Sequence, residues 1–247
     1  MSSLPWLSPP LNWTVLETAV HVWAARLDRH SAEYDQFWAL LANDEQARAR
    51  RFYFERDRRH YVAARGLLRT FIANYLGVSA AAVTFAYGPQ GKPQLADAMG
   101  FPHFVFNISH AAGAALFAFG WGRQLGVDVE AVRLLDDADD VAKRFFSDME
   151  NAAYATVPPE QKGRAFFNCW TRKEAFIKAI GEGLSHPLKT FDVSLRPGEP
   201  ARLLRIDGSE TAASRWQMMS LEPYPGYVGA VLAEGQDLQL VCYRWPD

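Results

Sequence analysis

Apolar residues recur at helical spacing between Asp57 and Tyr75, where Val62, Leu67, Leu68, Phe71, Ile72 and Tyr75 form one stripe and Gly77 supplies the stop. Upstream, alternation at Val20, Val22 and Ala24 predicts a strand within Leu16–Leu27. A helix is expected over Ser31–Leu41. Asn43-Asp44-Glu45 then caps another that runs through Arg50. Val83–Tyr87 predicts a short strand and Gly88–Pro93 a turn. Phe104–Ser109, Ala114–Phe119 and Leu125–Val129 predict three strands in a row, the first two joined by the tight connection His110–Gly113.

The same order recurs downstream. A helix is predicted near Asp136–Phe145, and Ser147 and Glu150 have the spacing of a capping box. The main helix spans Arg164–Ile180 and ends at Gly181 and Gly183. Phe191–Leu195, Trp216–Leu221, Tyr227–Leu232 and Leu238–Tyr243 read as antiparallel strands. The segments RGLLRTFIANYLG (Arg65–Gly77) and RKEAFIKAIGEGL (Arg172–Leu184) are both basic at the start, apolar in the middle and ended by glycine. The expectation is therefore an α+β fold built as a duplicated unit. An N-terminal subdomain would cover 1–124 and a C-terminal one 125–247, each a long helix on a small antiparallel sheet, with a ligand cleft between them.

Composition narrows the function classes. The 247 residues are 49% apolar, 22% charged and 13% aromatic, which suits a globular protein with a substantial core. The formal charge of −2 gives no support to a nucleic-acid binder. Charge is unevenly spread, however. Eight arginines and two acids lie between Arg48 and Arg69, and acids dominate from Asp128 to Asp140. Such runs suit phosphates and a metal respectively, or are solvated helix faces. Two distant cysteines form neither a disulfide framework nor a zinc spacing. Met1–Pro10 lacks the pattern of a signal peptide, and no apolar run reaches membrane-spanning length. A cytoplasmic protein with no membrane association is expected.

Four local patterns carry candidate chemistry. Strand alternation puts Asp128 and Glu130 of GVDVE on one face. Two adjacent carboxylates tolerate each other best with a cation between them, although an isolated D-x-E is more often an exposed acidic face. Glu174 and Lys178 are helical neighbours: a surface ion pair, or a metal ligand or base beside a phosphate-holding cation. Asn107-Ile108-Ser109-His110 ends an apolar strand. It suits anion binding better than nucleophilic catalysis, since adjacent Ser and His rarely face each other. Gly91-Lys92-Pro93 is a stiff turn without the frame of a P-loop.

The order GKP, FNISHAAG, GVDVE, FFSDMEN, WTRKEAFIKAIGEGL resembles the 4'-phosphopantetheinyl transferase superfamily, in its Sfp-type, pseudodimeric branch. The likeness runs from about Arg48 to Leu195. It implies transfer of the 4'-phosphopantetheine moiety of coenzyme A to a serine of an apo acyl or peptidyl carrier protein, with release of 3',5'-ADP. It implies Mg2+, or Mn2+, held by Asp128, Glu130 and Glu174. It makes Glu174, Lys178 and Asp128 the catalytic residues, with Lys178 beside the pyrophosphate. Coenzyme A would be held by Arg48, Arg65, Lys92, Ser109, His110, Lys173 and Lys178, with Arg51 and His60 as competing basic groups for its 3'-phosphate. The carrier would dock near Phe145–Phe167, where Phe146 or Met149 could contribute. A monomer is expected from two halves in one chain. The same acids and bases would also serve a metal-dependent hydrolase of nucleotide pyrophosphates, and a non-catalytic coenzyme A or carrier-binding module remains open.

Overall fold

The computed structural model describes residues 5–246, save the side chain of Leu184. Met1–Leu4, part of the stretch read for a signal peptide, and Asp247 lie outside it.

After the two-residue strand β1 (Trp6–Leu7), the first unit runs β2 (Ala19–Arg26), α1 (Ser31–Leu40), α2 (Asn43–Ala49), α3 (Glu55–Leu76), β3 (Phe85–Tyr87), β4 (Pro93–Leu95), β5 (Phe104–Ala111) and β6 (Ala114–Trp121). The second runs β7 (Leu125–Ala131), α4 (Ala138–Phe145), α5 (Asp148–Ala155), α6 (Lys162–Ile180), β8 (Phe191–Val193), β9 (Leu203–Ile206), the short α7 (Glu210–Ala213), β10 (Trp216–Leu221) and β11 (Tyr227–Glu234). A last strand, β12 (Gln239–Arg244), follows.

The duplication extends to topology. In the first unit the strands order β2-β6-β5, in the second β7-β11-β10, and every neighbour within these sets is antiparallel. Each unit also carries a two-stranded ribbon, β3–β4 or β8–β9. Each long helix ends on a glycine in the left-handed region, Gly77 at φ 65° and Gly181 at φ 78°, where a Cβ would be strained.

Two expectations need correction. β12 is not part of the second sheet: it pairs with β2 in parallel, and β1 adds outside it, so a boundary at 124/125 assigns the final strand to the wrong half. β7 does not continue the row of β5 and β6 but opens the second sheet. Strand period alone cannot say which edge a strand joins, because edge choice is a long-range packing outcome.

β2 and β6 are buried along nearly their whole length, because both faces of their sheet are covered. Trp23, Ala25, Phe117 and Phe119 pack with α3 residues Leu67, Leu68, Phe71 and Ile72. Val20, Val22, Ala24, Leu116 and Ala118 meet Leu125, Val127, Val129 and Val231 of the other unit. The halves thus share a middle core. The opposite face of β11, with Val228, Ala230 and Leu232, packs with Ala175, Phe176 and Ala179 of α6.

Candidate functional site

The site lies where β5 of the first half meets β7 of the second under α6. The buried Asn107 side chain joins the strands, its Oδ1 accepting the Val127 amide at 2.9 Å. This bond satisfies a backbone donor on a sheet edge that would otherwise be orphaned in the interior. α6 comes so close to β7 that a Cβ on Gly126 would stand 2.0 Å from the Ala175 carbonyl oxygen and 2.6 Å from the Ala179 nitrogen. Glycine at 126 is what lets residues 174 and 178 reach the strand.

Residues 125, 127 and 129 face the middle core, so Asp128 and Glu130 share the other face, toward α6. Asp128 is 5% exposed. Its Oδ1 accepts from Ser109 Oγ at 2.7 Å and from Lys178 Nζ at 2.7 Å, and Lys178 Nζ also donates to Ser109 Oγ at 2.8 Å. Three side chains from three elements and two halves therefore close one polar triangle. Among the described residues, Asp128 Oδ2 is buried with no hydrogen-bond partner.

Burial first, then the Asp128 charge, raises both neighbouring acids. The Glu174 carboxyl is pushed up to about 6, with Lys178 opposing and Glu130 adding. Glu130 is raised too, opposed by Arg133, whose Nη1 lies 3.6 Å from Glu130 Oε2. His110, at the exposed end of β5, stands in a crowded cleft: burial, then the Lys178 charge, then His60 lower its basicity, while Asp128 opposes. His60 Nε2 is 2.7 Å from Asp28 Oδ1, and beside them a cavity of about 500 Å³ is lined by His30, Arg56 and Arg59. The acids Asp128, Glu130 and Glu174 thus stand on β7 and α6, while α3 presents His60, Arg56 and Arg59 with Glu55 to its cavity.

Among the described residues no three His, Cys, Asp or Glu side chains are gathered tightly enough to hold a metal ion. The donor set nonetheless suits a hard dication: a buried carboxylate oxygen without a partner, beside two acids that the first one destabilises.

Other residues expected at the site stand elsewhere. Lys173 is fully buried, donating to Glu150 Oε1 at 2.7 Å and the Phe191 carbonyl at 2.8 Å, which places it in the core of the second half. Arg65 is buried as well; its Nε is 2.8 Å from Glu45 Oε1, its guanidinium lies over Phe85, and it donates to Tyr87 Oη. The family resemblance makes it a coenzyme A ligand, but in this structure it is buried against a carboxylate. Lys92 donates to the Lys178 and Ala179 carbonyls at the end of α6 and to the Leu125 carbonyl at the start of β7. Arg48 is exposed over the Tyr61 ring, on a cavity of about 280 Å³ shared with Tyr87 and Gly91. Phe146 is fully buried, so it offers no surface for docking; Met149 is partly exposed. Sequence reasoning missed Arg133 and Asp28, which carry no motif. Asn107 was legible only as a polar residue ending an apolar run.

Comparison with known proteins decides the family. Residues 26–119 match the 4'-phosphopantetheinyl transferase N-terminal family, and residues 124–232 match the 4'-phosphopantetheinyl transferase superfamily. The chain is 40% identical to 4'-phosphopantetheinyl transferase HetI of Nostoc sp., over 93% of this chain and 94% of that one. The chain belongs to the 4'-phosphopantetheinyl transferases. It is also 28% identical to the transferase Sfp of Bacillus subtilis, over 86% of this chain and 92% of the other, in keeping with the Sfp-type branch and its two-unit architecture. No helix of the described residues is long and apolar enough to cross a membrane.

Proposed function

We propose that this transferase moves the 4'-phosphopantetheine moiety of coenzyme A to a serine of an apo carrier protein, releasing 3',5'-ADP, at the Ser109–Asp128–Lys178 triangle. The observation that carries the assignment is the buried Asp128, engaged on one oxygen and unpartnered on the other, at the seam of the two halves.

Asp128, Glu130 and Glu174 would hold a divalent cation, with Asp128 Oδ2 as the innermost donor. Such an ion, Mg2+ or Mn2+, supplies charge neutralisation at a pyrophosphate. The chain's own groups do the rest. Lys178 swings only its terminal ammonium to leave Asp128 for a phosphate oxygen, where it offsets charge on the departing 3',5'-ADP. Ser109, released from that ammonium, keeps Asp128 oriented. Glu174 takes the proton of the attacking serine, directly or through one water. The serine oxygen forms a bond to the phosphorus attached to pantetheine as the bond to the bridging oxygen breaks. His110 and His60 stand on the basic side and suit the 3'-phosphate, while Arg48 lines a separate cavity with Tyr61 and Tyr87.

Mass spectrometry of several apo acyl and peptidyl carriers, incubated with coenzyme A and Mg2+, tests this. Each competent carrier should gain one phosphopantetheinyl group, and Glu174→Gln should slow the gain by roughly 100-fold or more. Steady release of 3',5'-ADP without a carrier would instead support hydrolysis.

A further inference from the structure

We infer that Lys92 is a positioning residue for the transfer reaction: it clasps the end of α6 to the first half and so holds Lys178 on Asp128. The inference rests on the proposed chemistry at that triangle. Lys92 Nζ donates to the carbonyls of Lys178 at 2.5 Å, Ala179 at 3.1 Å and Leu125 at 3.4 Å. Three ammonium protons meet three acceptors, and two of those are final-turn carbonyls that the helix itself leaves unpaired. The negative end of the helix dipole favours a cation there.

The surrounding turn fits the same task. Gly88 N donates to the Lys92 carbonyl at 3.0 Å, and Gly91, at φ 75°, donates to Gly88 O at 2.9 Å, closing the turn that presents the lysine. A Cβ on Gly181 would touch Lys92 Cδ at 3.8 Å, and one on Gly183 would meet the Gln90 side chain at 3.3 Å. The whole Gly88–Lys92 turn of the first half therefore packs on the helix end of the second. Leu125 opens β7, three residues before Asp128. One ammonium thus ties together the strand that carries the carboxylate and the helix that carries its cation. A lysine that served coenzyme A would have to abandon all three carbonyls.

The test uses the full chain with Lys92→Met and Lys92→Arg, read by transfer kinetics, calorimetric coenzyme A binding and amide hydrogen exchange. Lys92→Met should lower kcat about ten- to hundredfold through misplacement of Lys178. Its Kd for coenzyme A should stay within about twofold of wild type. Amides 177–181 should exchange at least about tenfold faster, while β2 and β6 keep their protection. Lys92→Arg, which can still donate to two carbonyls, should recover part of kcat and of the protection. If Lys92→Met does not fold, Lys92→Arg carries the comparison alone, with intermediate kcat loss and unchanged Kd expected. An unchanged kcat, or a Kd raised about tenfold or more with unchanged exchange at 177–181, overturns the inference. Should wild type itself transfer nothing, the proposed function fails, while the exchange measurement still decides whether Lys92 clasps the helix.

Discussion

The two long helices have the same structural frame and different chemistry. Counted back from their terminal glycines, Arg69 and Lys173 both stand eight residues before the stop. Each is buried and each pairs with the glutamate that caps the short helix before it. Arg69 Nε donates to Glu45 Oε2 at 2.7 Å, and that oxygen also accepts the Ala42 amide; Lys173 donates to Glu150 Oε1, while Glu150 Oε2 accepts the Ser147 amide. Each cation also ties down the chain beyond its helix, at Val83 in one half and Phe191 in the other. The next position holds Thr70 in α3 and Glu174 in α6. Four residues on come Asn74 and Lys178. Thr70 and Asn74 donate to their own helix, at Gly66 O and Thr70 O, whereas Lys178 reaches across to Asp128. A duplicated scaffold has kept its buried ion pair twice and carries the groups of the proposed reaction once. The lesson is that a charged residue next to a proposed reactive one can be fully engaged in the core, as Lys173 is with Glu150 and the Phe191 carbonyl.

The largest effects should come from breaking the shared frame. Glu150→Ala or Glu45→Ala leaves a buried cation without its carboxylate, and each should cost about 3–5 kcal/mol by urea unfolding. Replacing Lys173 and Glu150 together with Met and Leu should recover most of that loss, because the packed volume returns without a buried charge. A Lys173→Met variant that stays folded and loses coenzyme A affinity would break the comparison, since it would make Lys173 a ligand.

Exchanging the helices' functional positions sharpens it further. Lys178→Met should reduce transfer by about 100-fold, or roughly 2.7 kcal/mol, with little change in unfolding midpoint. Asn74→Met at the equivalent exposed position of α3 should leave transfer within about twofold. Steady-state rates on one apo carrier check both.

The elements were mostly legible because their signals are local. The apolar stripe and Gly77 located α3 to within two residues at its start and one at its end, and the Ser147–Glu150 capping box exists as its spacing predicts. Asp128 and Glu130 do share a face, because strand alternation is a backbone property. What was not legible is pairing at a distance. No pattern in Gln239–Arg244 says that it joins β2, and no element is assigned from sequence to the four residues of β9, Leu203–Ile206. The family resemblance makes Lys173 and Arg65 coenzyme A ligands, because a cation has the same letters whether it faces a cleft or a core. Only the depth of Glu150 and Glu45 distinguishes the two.

The halves also differ in what is added at the sheet edge, since β12 and β1 extend the first sheet alone, and His21 offers a way to measure that difference. It lies on β2 between β6 and β12, with Phe119 and Val241 as strand partners. Its Nδ1 is 2.9 Å from Tyr75 Oη on α3, and its ring meets Tyr243 of β12 edge-on. Tyr75 and Tyr243 are therefore the titratable groups that face it, and burial raises both, Tyr75 most, so neither charges near neutrality. Burial lowers the His21 imidazole to about 4, against 6.5 for an unfolded chain. Between those values the unfolded state binds the proton and the folded state does not, so this contribution is complete above pH 6.5 and is lost as pH falls toward 4. At pH 5 the loss should be about 2 kcal/mol relative to pH 7.5. His21→Gln can keep a hydrogen bond to Tyr75 but cannot titrate, so its unfolding free energy should fall about 2 kcal/mol less than that of wild type over the same interval. Equal losses in the two proteins would mean that β12 leaves His21 open to water, and that the added strand seals the first sheet less than its register implies.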